Sequence, residues 1–299
     1  MENFRLKVFR SVAKNLSFTK ASNELFISQP AVTKNIHALE NEYGLRLFNR
    51  KGNRIYLTAE GNVLLDYADK LFSLQRQLED DLNSFKENPS GSLRLGASTT
   101  IAQYVIPPIL SKFRGKFPEV KLSLLTGNTE QVADNLLKGE IDLGIVEGKI
   151  KNRDIHYIRF ISDELVTAIR PKNKLVNTDE ISVAKLVALP FVLRERGSGT
   201  LEVIEHALRN KGIKLSSLNI IIYLGSTEAI KLYLENDDCI GFISIRALKK
   251  ELESRSLKIL RIKNFQIKRT FDFITPQGLK PSGISARFIK FAKQFYNQK

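Results

Sequence analysis

Phe18-Thr19-Lys20-Ala21-Ser22-Asn23-Glu24-Leu25-Phe26-Ile27-Ser28-Gln29-Pro30-Ala31-Val32-Thr33-Lys34-Asn35-Ile36 is the stretch on which the fold of this 299-residue chain turns. Ser17 stands before it and can cap a helix from Phe18 to about Leu25; Ser28 can cap a second that begins at Gln29-Pro30, where a proline suits the first helical turn. Only Phe26-Ile27-Ser28 separates the two, which makes a helix-turn-helix candidate. N-terminal to it, Phe4, Val8, Phe9, Val12 and Leu16 recur at helical spacing. In the third helix Val32, Ile36 and Leu39 share one face and would pack on the first two. The opposite face carries Pro30, Thr33, Lys34 and His37, with Gln29 at the exposed N-terminus. Such a helix can bring its first polar residues to base edges in a major groove, and the same spacing also fits a small helical bundle with a solvated face.

C-terminal to the stretch, two short apolar runs flank a Gly52-Asn53 turn and read as a β-hairpin with a basic tip. Arg50, Lys51 and Arg54 on that tip would meet phosphates or the minor groove, or serve solubility alone. Thr58 can cap a helix running to about Lys86. Along it Leu64, Ala68, Leu71, Gln75, Leu78, Leu82 and Phe85 alternate in steps of four and three, a heptad seam. A helix with one apolar seam needs a partner. Dimerisation is the economical reading, and docking on the rest of the same chain is the alternative.

Asn88-Pro89-Ser90-Gly91-Ser92 breaks that helix and marks a domain boundary. Beyond it, strands (93–96, 120–125, 142–146, 165–169, 191–194, 220–224, 240–244, 270–274) alternate with helices (101–117, 129–138, 183–186, 201–211, 228–235, 284–296). That pattern indicates an α/β body, long enough for two lobes.

Charge supports a nucleic-acid partner less directly than its total of +15 suggests. Residues 1–60 carry ten basic and five acidic side chains, 61–90 three and six, and 247–299 thirteen and three. Most of the excess thus lies far from the helix-turn-helix, where surface lysine is the favoured reading and a contact to bent DNA the other. The lone Cys239 cannot form an internal disulfide, and the charged N-terminal segment has no apolar core of a leader or membrane anchor, so a cytoplasmic protein with no membrane association is expected.

The 18–36 stretch resembles the LysR-type transcriptional regulators, and the resemblance continues through Leu39-Glu40, Gly44, Leu47-Phe48, Arg50, Leu57-Thr58, Gly61 and the α/β body. It implies an α+β multidomain protein. A winged helix-turn-helix DNA-binding domain would span 1–58 and a linker helix for dimerisation 59–88. An effector-binding domain similar in fold to periplasmic solute-binding proteins would occupy 89–299, with lobe I at 91–162 and 268–299 and lobe II at 163–267. By this resemblance the residues meeting double-stranded DNA are Gln29, Pro30 and Thr33 at base edges, Lys34, Arg50, Lys51 and Arg54 on the backbone, and His37 beside them. A homo-oligomer, dimer or dimer of dimers, is implied, and RNA polymerase is a further partner open to such a regulator. Thr33 and Lys34 stand where Ser and Arg are usual, Ser22 and Asn35 where Ala and Gln are frequent, and Ala59-Glu60 inverts the usual pair. Lys34 lacks the fork that an arginine brings to guanine or phosphate, which bears on operator preference rather than on DNA binding.

The effector site is expected at four polar turns that open helices: Ser98-Thr99-Thr100, Asn128-Thr129, Ser198 with Thr200, and Ser226-Thr227. Helix N-termini converging outside strand carboxyl ends make an anion site, although Ser and Thr are helix caps everywhere. The run Phe191–Arg196 is similar to one in regulators of sulfur assimilation and carbon-dioxide fixation, which favours a small anionic metabolite or inorganic anion as effector. Arg194 and Arg196 would steer anions or lie on the surface. Glu147 is expected near the mouth, to contact an amine or repel anions. The three histidines lack metal-ligand spacing, no nucleophile motif occurs, and Cys239 beside Asp237-Asp238 reads as structural. The expectation is a regulator, not an enzyme, with no cofactor or metal beyond its effector; the alternative is a solute-binding or enzymatic α/β protein with a helical N-terminal appendage.

Overall fold

The computed structural model describes residues 3–52, 54–84, 90–148 and 151–297, and the chain divides into two units, 1–79 and 80–299. The first unit holds α1 (Phe4–Asn15), α2 (Phe18–Leu25), α3 (Gln29–Tyr43), β1 (Phe48–Lys51), β2 (Arg54–Leu57) and most of α4 (Ala59–Ser84). Ser17 and Ser28 accept from the backbone N–H groups of Lys20 and Ala31, as their positions before the helices require. Gly44 ends α3 in the left-handed conformation. Val32, Ile36 and Leu39 are buried with Phe9, Val12 and Ala21, and the Phe48 ring at the start of the hairpin packs on Phe9 and Phe18 at 5.4 and 6.0 Å. The hairpin therefore belongs to the helical core. Thr58 Oγ1 accepts from Gly61 N at 2.9 Å to start α4. A Cβ on Gly61 would lie 2.2 Å from the Leu47 carbonyl oxygen, so only glycine lets this turn approach the wing.

The seam expected on α4 divides. Leu64 and Ala68, joined by Phe72, close the core of the helical head. Leu71, Leu78 and Leu82 are exposed, together with Val63, Tyr67 and Leu74. Gln75 is half-buried, while Phe85 and Asn53 lie outside the described residues.

In the second unit the strands are β3 (Gly91–Ser98), β4 (Val120–Gly127), β5 (Leu143–Glu147), β6 (Ile155–Ile169), β7 (Glu180–Ile181), β8 (Pro190–Arg194), β9 (Asn219–Leu224), β10 (Ile240–Ser244), β11 (Lys258–Ile262) and β12 (Ile267–Pro276). Between and after them come α5 (Thr99–Tyr104), α6 (Ile106–Lys116), α7 (Thr129–Leu137), α8 (Val183–Val187), α9 (Gly199–Arg209), α10 (Thr227–Asn236), α11 (Lys249–Ser254) and α12 (Gly283–Asn297). The sheet order is β4-β3-β5-β12-β6-β10-β8-β9, with β11 on β6 and β7 on β11. β3 pairs parallel with β4 and β5, and β8 parallel with β9 and β10. The long antiparallel pair β6 and β12 belongs to both halves. One core gathers Leu95, Phe113, Phe271, Phe273 and Phe288 with Phe160 and Ile161 against it; another gathers Leu165, Ile169, Phe191, Phe242 and Ile267. The two crossover strands change core around Ser162–Glu164 and Lys268–Thr270, which gives two lobes joined by two strands.

Several elements depart from the expected pattern, among them β7 and α11, which it did not contain. The helix expected over 101–117 is two helices that break at Val105, because Pro107 and Pro108 open α6 and disfavour continuation from α5. The first ten residues of β6, interrupted by Arg159 and Asp163-Glu164, and β11, flanked and split by Lys258 and Arg261, gave no apolar run long enough to read as a strand.

Candidate functional site

On the helical head, Gln29, Pro30 and Lys34 are exposed on α3, and Thr33 is half-buried with its hydroxyl donating to the Gln29 carbonyl at 3.1 Å. A groove of about 860 Å³ between α3 and the wing brings together Thr33, His37, Arg46, Asn49 and Arg50. The Arg50 guanidinium lies over the Phe18 ring at 5.4 Å, which orients it while its edge stays in water. Lys51 and Arg54 face each other in register at the hairpin tip, both exposed. Gln29 and Pro30 sit at the other end of α3 and do not line the groove.

A residue without an expected role holds this geometry. Glu40 Oε1 accepts from the backbone N–H groups of Leu47 at 2.9 Å and Phe48 at 3.4 Å, and its Oε2 lies 3.3 Å from His37 Nδ1. One carboxylate thus ties the recognition helix to the first strand of the wing.

In the second unit the expected polar turns lie at the carboxyl ends of β3, β4, β8 and β9, and they divide by what their side chains do. Asn128 forms a reciprocal capping box with Gln131, and Ser226 accepts from Ala229 N; these two cap their own helices. Ser98 and Ser198 also occupy N-cap positions, yet neither side chain makes a cap hydrogen bond. Ser98 donates instead to Glu147 Oε2, and Ser198 Oγ is buried with no partner. Thr100 and Thr227, both buried, bond to each other at 3.1 Å across the two lobes. Thr99 Oγ1 is buried and unpartnered. Thr129 Oγ1 donates to the Glu147 carbonyl at 2.8 Å and accepts from Gly199 N at 3.3 Å, and Glu130 N donates to the Gly197 carbonyl at 3.2 Å, so the start of α9 is clasped to lobe I.

At the centre of these turns lies a buried ionic chain. Thr200 donates to Glu147 Oε1 at 3.0 Å and accepts from Arg269 Nη1 at 2.8 Å; Arg269 Nη1 is also 3.5 Å from Glu147 Oε1. Arg269 Nε donates to Asp163 Oδ2 at 2.7 Å, and Asp163 Oδ1 accepts from Ser244 at 2.7 Å. Arg269 and Asp163 stand opposite each other in the β6–β12 register, which is why they meet although 106 residues separate them. Arg269, Glu147 and Asp163 are at most 1% exposed at their side chains, and Arg269 Nη2 is buried without a partner. Glu147 is therefore buried between the lobes rather than placed at the mouth of a cleft. Arg194 is buried too, in a two-pronged pair with Glu195 at 2.8 and 2.9 Å, with Nη1 left unpartnered; Arg196 is exposed. Arg194 is thus not a surface arginine.

Cys239 is fully buried, and its thiol is pushed up to about 12 by burial first and by the charges of Asp237 and Asp238 next. Among the described residues no group of three or more His, Cys, Asp or Glu side chains could hold a metal ion, and no helix is long and apolar enough to cross a membrane.

Residues 4–62 match the bacterial regulatory helix-turn-helix protein, lysR family, and residues 86–297 match the LysR substrate binding domain. The chain belongs to the LysR family. It is similar to the HTH-type transcriptional regulator CysL of Bacillus subtilis (strain 168), 31% identical over 97% of this chain and 96% of that one. A probable RuBisCO transcriptional regulator of Thalassiosira pseudonana is 32% identical over 98% and 95% of the two chains. The structure of the Synechocystis PCC6803 CcmR regulatory domain in complex with 2-PG is 30% identical and covers 69% of this chain and 97% of its own, with a TM-score of 0.62. This LysR-family protein is accordingly a DNA-binding transcriptional regulator with an effector-binding domain, and its relatives fall in the sulfur-assimilation and carbon-dioxide-fixation subgroup.

Proposed function

We propose that this regulator works in the cytoplasm and reads DNA through Gln29, Pro30 and Thr33 at base edges, with Lys34, His37, Arg50, Lys51 and Arg54 on the phosphates, and that a small anion held between the two lobes sets its activity. The observation that carries the effector reading is a set of buried donors without partners on the helix-opening turns and the crossover strand: Thr99 Oγ1, Ser198 Oγ and Arg269 Nη2. A buried donor costs roughly 1–3 kcal/mol when unpaired, and an anionic guest repays that cost. The likeness to the CcmR regulatory domain, which is described in complex with 2-PG, supports an effector of that class. Titration of the purified chain with 2-phosphoglycolate, sulfate and inorganic phosphate by calorimetry tests it; absence of binding by every small anion would refute it. Two-ended anions are expected to bind more tightly than sulfate.

The exposed row Val63, Tyr67, Leu71, Leu74, Leu78 and Leu82 on α4 supports pairing of two copies along this helix, since a stripe at steps of three and four is the seam of a coiled coil. Two recognition helices would then read the two halves of an interrupted palindrome. For the head, Gln29→Ala should flatten preference among operator variants. Arg50→Ala should weaken binding to every sequence and reduce the slope of log affinity against log salt by about 0.9, the value of one phosphate contact. Equal salt slopes for wild type and Arg50→Ala would remove Arg50 from the interface.

A further inference from the structure

We infer that the Glu147 carboxylate is a resident counter-anion: it occupies the anion cradle of the cleft, and an anionic effector must displace it. This inference rests on the cleft being the effector site. The cradle is built from donors of three origins. Ser98 Oγ comes from the end of β3 in lobe I, Thr200 Oγ1 from the first turn of α9 in lobe II, and Arg269 Nη1 from the crossover strand β12. Both oxygens of one carboxylate consume them, and that carboxylate is supplied by the last residue of β5.

Charge decides why this matters. Arg269 is already matched by Asp163, its cross-strand partner at 2.7 Å, and Arg246 approaches Asp163 to 3.6 Å from the end of β10. With Glu147 in place the chain of Glu147, Arg269, Asp163 and Arg246 is neutral. A guest anion added beside Glu147 would leave a net negative charge around Glu147, Arg269 and Asp163, whose side chains are at most 1% exposed and where like charges are costly, while Arg246 is a third exposed. With the Glu147 carboxylate turned away, the guest inherits Ser98, Thr200 and Arg269 Nη1, and gains the unpaired Nη2 that Glu147 does not reach. Displacement has a second effect. Glu147 bonds Ser98 of lobe I and Thr200 of lobe II at once, so removing its carboxylate releases one tie between the lobes and transfers that tie to the effector. Effector binding is thereby coupled to lobe geometry, as differential affinity for two arrangements requires.

Glu147→Gln tests this, because it keeps the shape and removes the charge. Titrated with 2-phosphoglycolate and with inorganic phosphate, the full-length variant should bind roughly ten- to a hundredfold more tightly than wild type, a gain in line with relief of a buried like-charge contact. Glu147→Met, which fills the same volume without charge, should tighten binding in the same direction and serves where the Gln variant fails to fold. Unchanged or weaker binding in the folded variants overturns the inference and makes Glu147 an acceptor for a donor on the effector or a purely structural group. Thr200→Val and Ser98→Ala separate the two levels. If both weaken the probe while Glu147→Gln does not tighten it, only the displacement idea falls. If neither changes the probe's affinity, the cleft reading falls and this inference with it.

Discussion

Gly199→Ala probes whether the start of α9 must touch lobe I for the cleft to exist. A Cβ built on Gly199 would stand 2.0 Å from the Glu147 carbonyl oxygen, 2.7 Å from its carbon and 2.6 Å from Thr129 Oγ1, against an ordinary contact of 3.4 Å or more. The carbonyl cannot turn aside: Glu147 pairs with Phe271 in the sheet and its oxygen accepts from Thr129 at 2.8 Å. The helix must therefore recede by more than 1 Å, a distance that follows from the 2.0 and 3.4 Å values. That motion breaks the Gly199 N to Thr129 bond, now 3.3 Å, and pulls Thr200 from Glu147, now 3.0 Å. Overpacking of this kind costs about 1–3 kcal/mol and each of the two lost hydrogen bonds about 0.5–1.5 kcal/mol, so the total is about 2–6 kcal/mol. In a unit of this size that corresponds to a fall of roughly 4–24 °C in the unfolding midpoint of the effector domain. Scanning calorimetry reads it, with Gly225→Ala as the control, since a Cβ on Gly225 meets nothing within 4 Å. Small-anion affinity should fall at least about tenfold alongside, because Ser98, Thr200 and Arg269 no longer converge. An unaltered midpoint with unaltered anion binding would refute the claim that the lobes are clasped at this point.

Two further outcomes follow from the geometry. Glu40→Ala should free the Leu47 and Phe48 amides, so hydrogen exchange over 45–50 should quicken and affinity for both operator and random DNA should fall, by roughly tenfold for the loss of a charge-assisted bond. Glu40→Gln should restore most of it, and an unchanged exchange rate in the alanine variant would contradict the tether. Cys239 should resist iodoacetamide at pH 8 in the native protein and react only after denaturation, since its thiol is held up at about 12 and is fully buried; stoichiometric labelling of the folded chain would show otherwise.

The parts legible in the sequence were those whose causes are local. Ser17, Ser28 and Thr58 precede their helices and cap them, and Val32, Ile36 and Leu39 repeat at a helical period and are buried, so the helix-turn-helix could be read from neighbours alone. On α4 the same period was ambiguous, because Leu64 and Ala68 belong to the core of the head while Leu71, Leu78 and Leu82 do not; periodicity marks an apolar face and does not name what covers it. The cleft shows the same limit more sharply. Ser98, Ser198, Ser226 and Asn128 all precede helices and look alike in sequence, yet Ser226 and Asn128 spend their side chains on the next turn, while Ser98 turns to a carboxylate 49 residues away and Ser198 keeps its hydroxyl. A Ser or Thr before a helix is thus a binding group only where a distant residue or a guest outcompetes its own backbone, and that distant residue is set by sheet register. Arg269 is the strongest instance. It is one of thirteen basic residues in a segment whose charge looks like surface, and only its pairing opposite Asp163 takes it into the interior. Two carboxylates from different elements then hold one guanidinium, so losing Glu147 or Asp163 singly still leaves Arg269 one partner, and only losing both would leave its charge buried and unmatched, at a cost of about 3–5 kcal/mol.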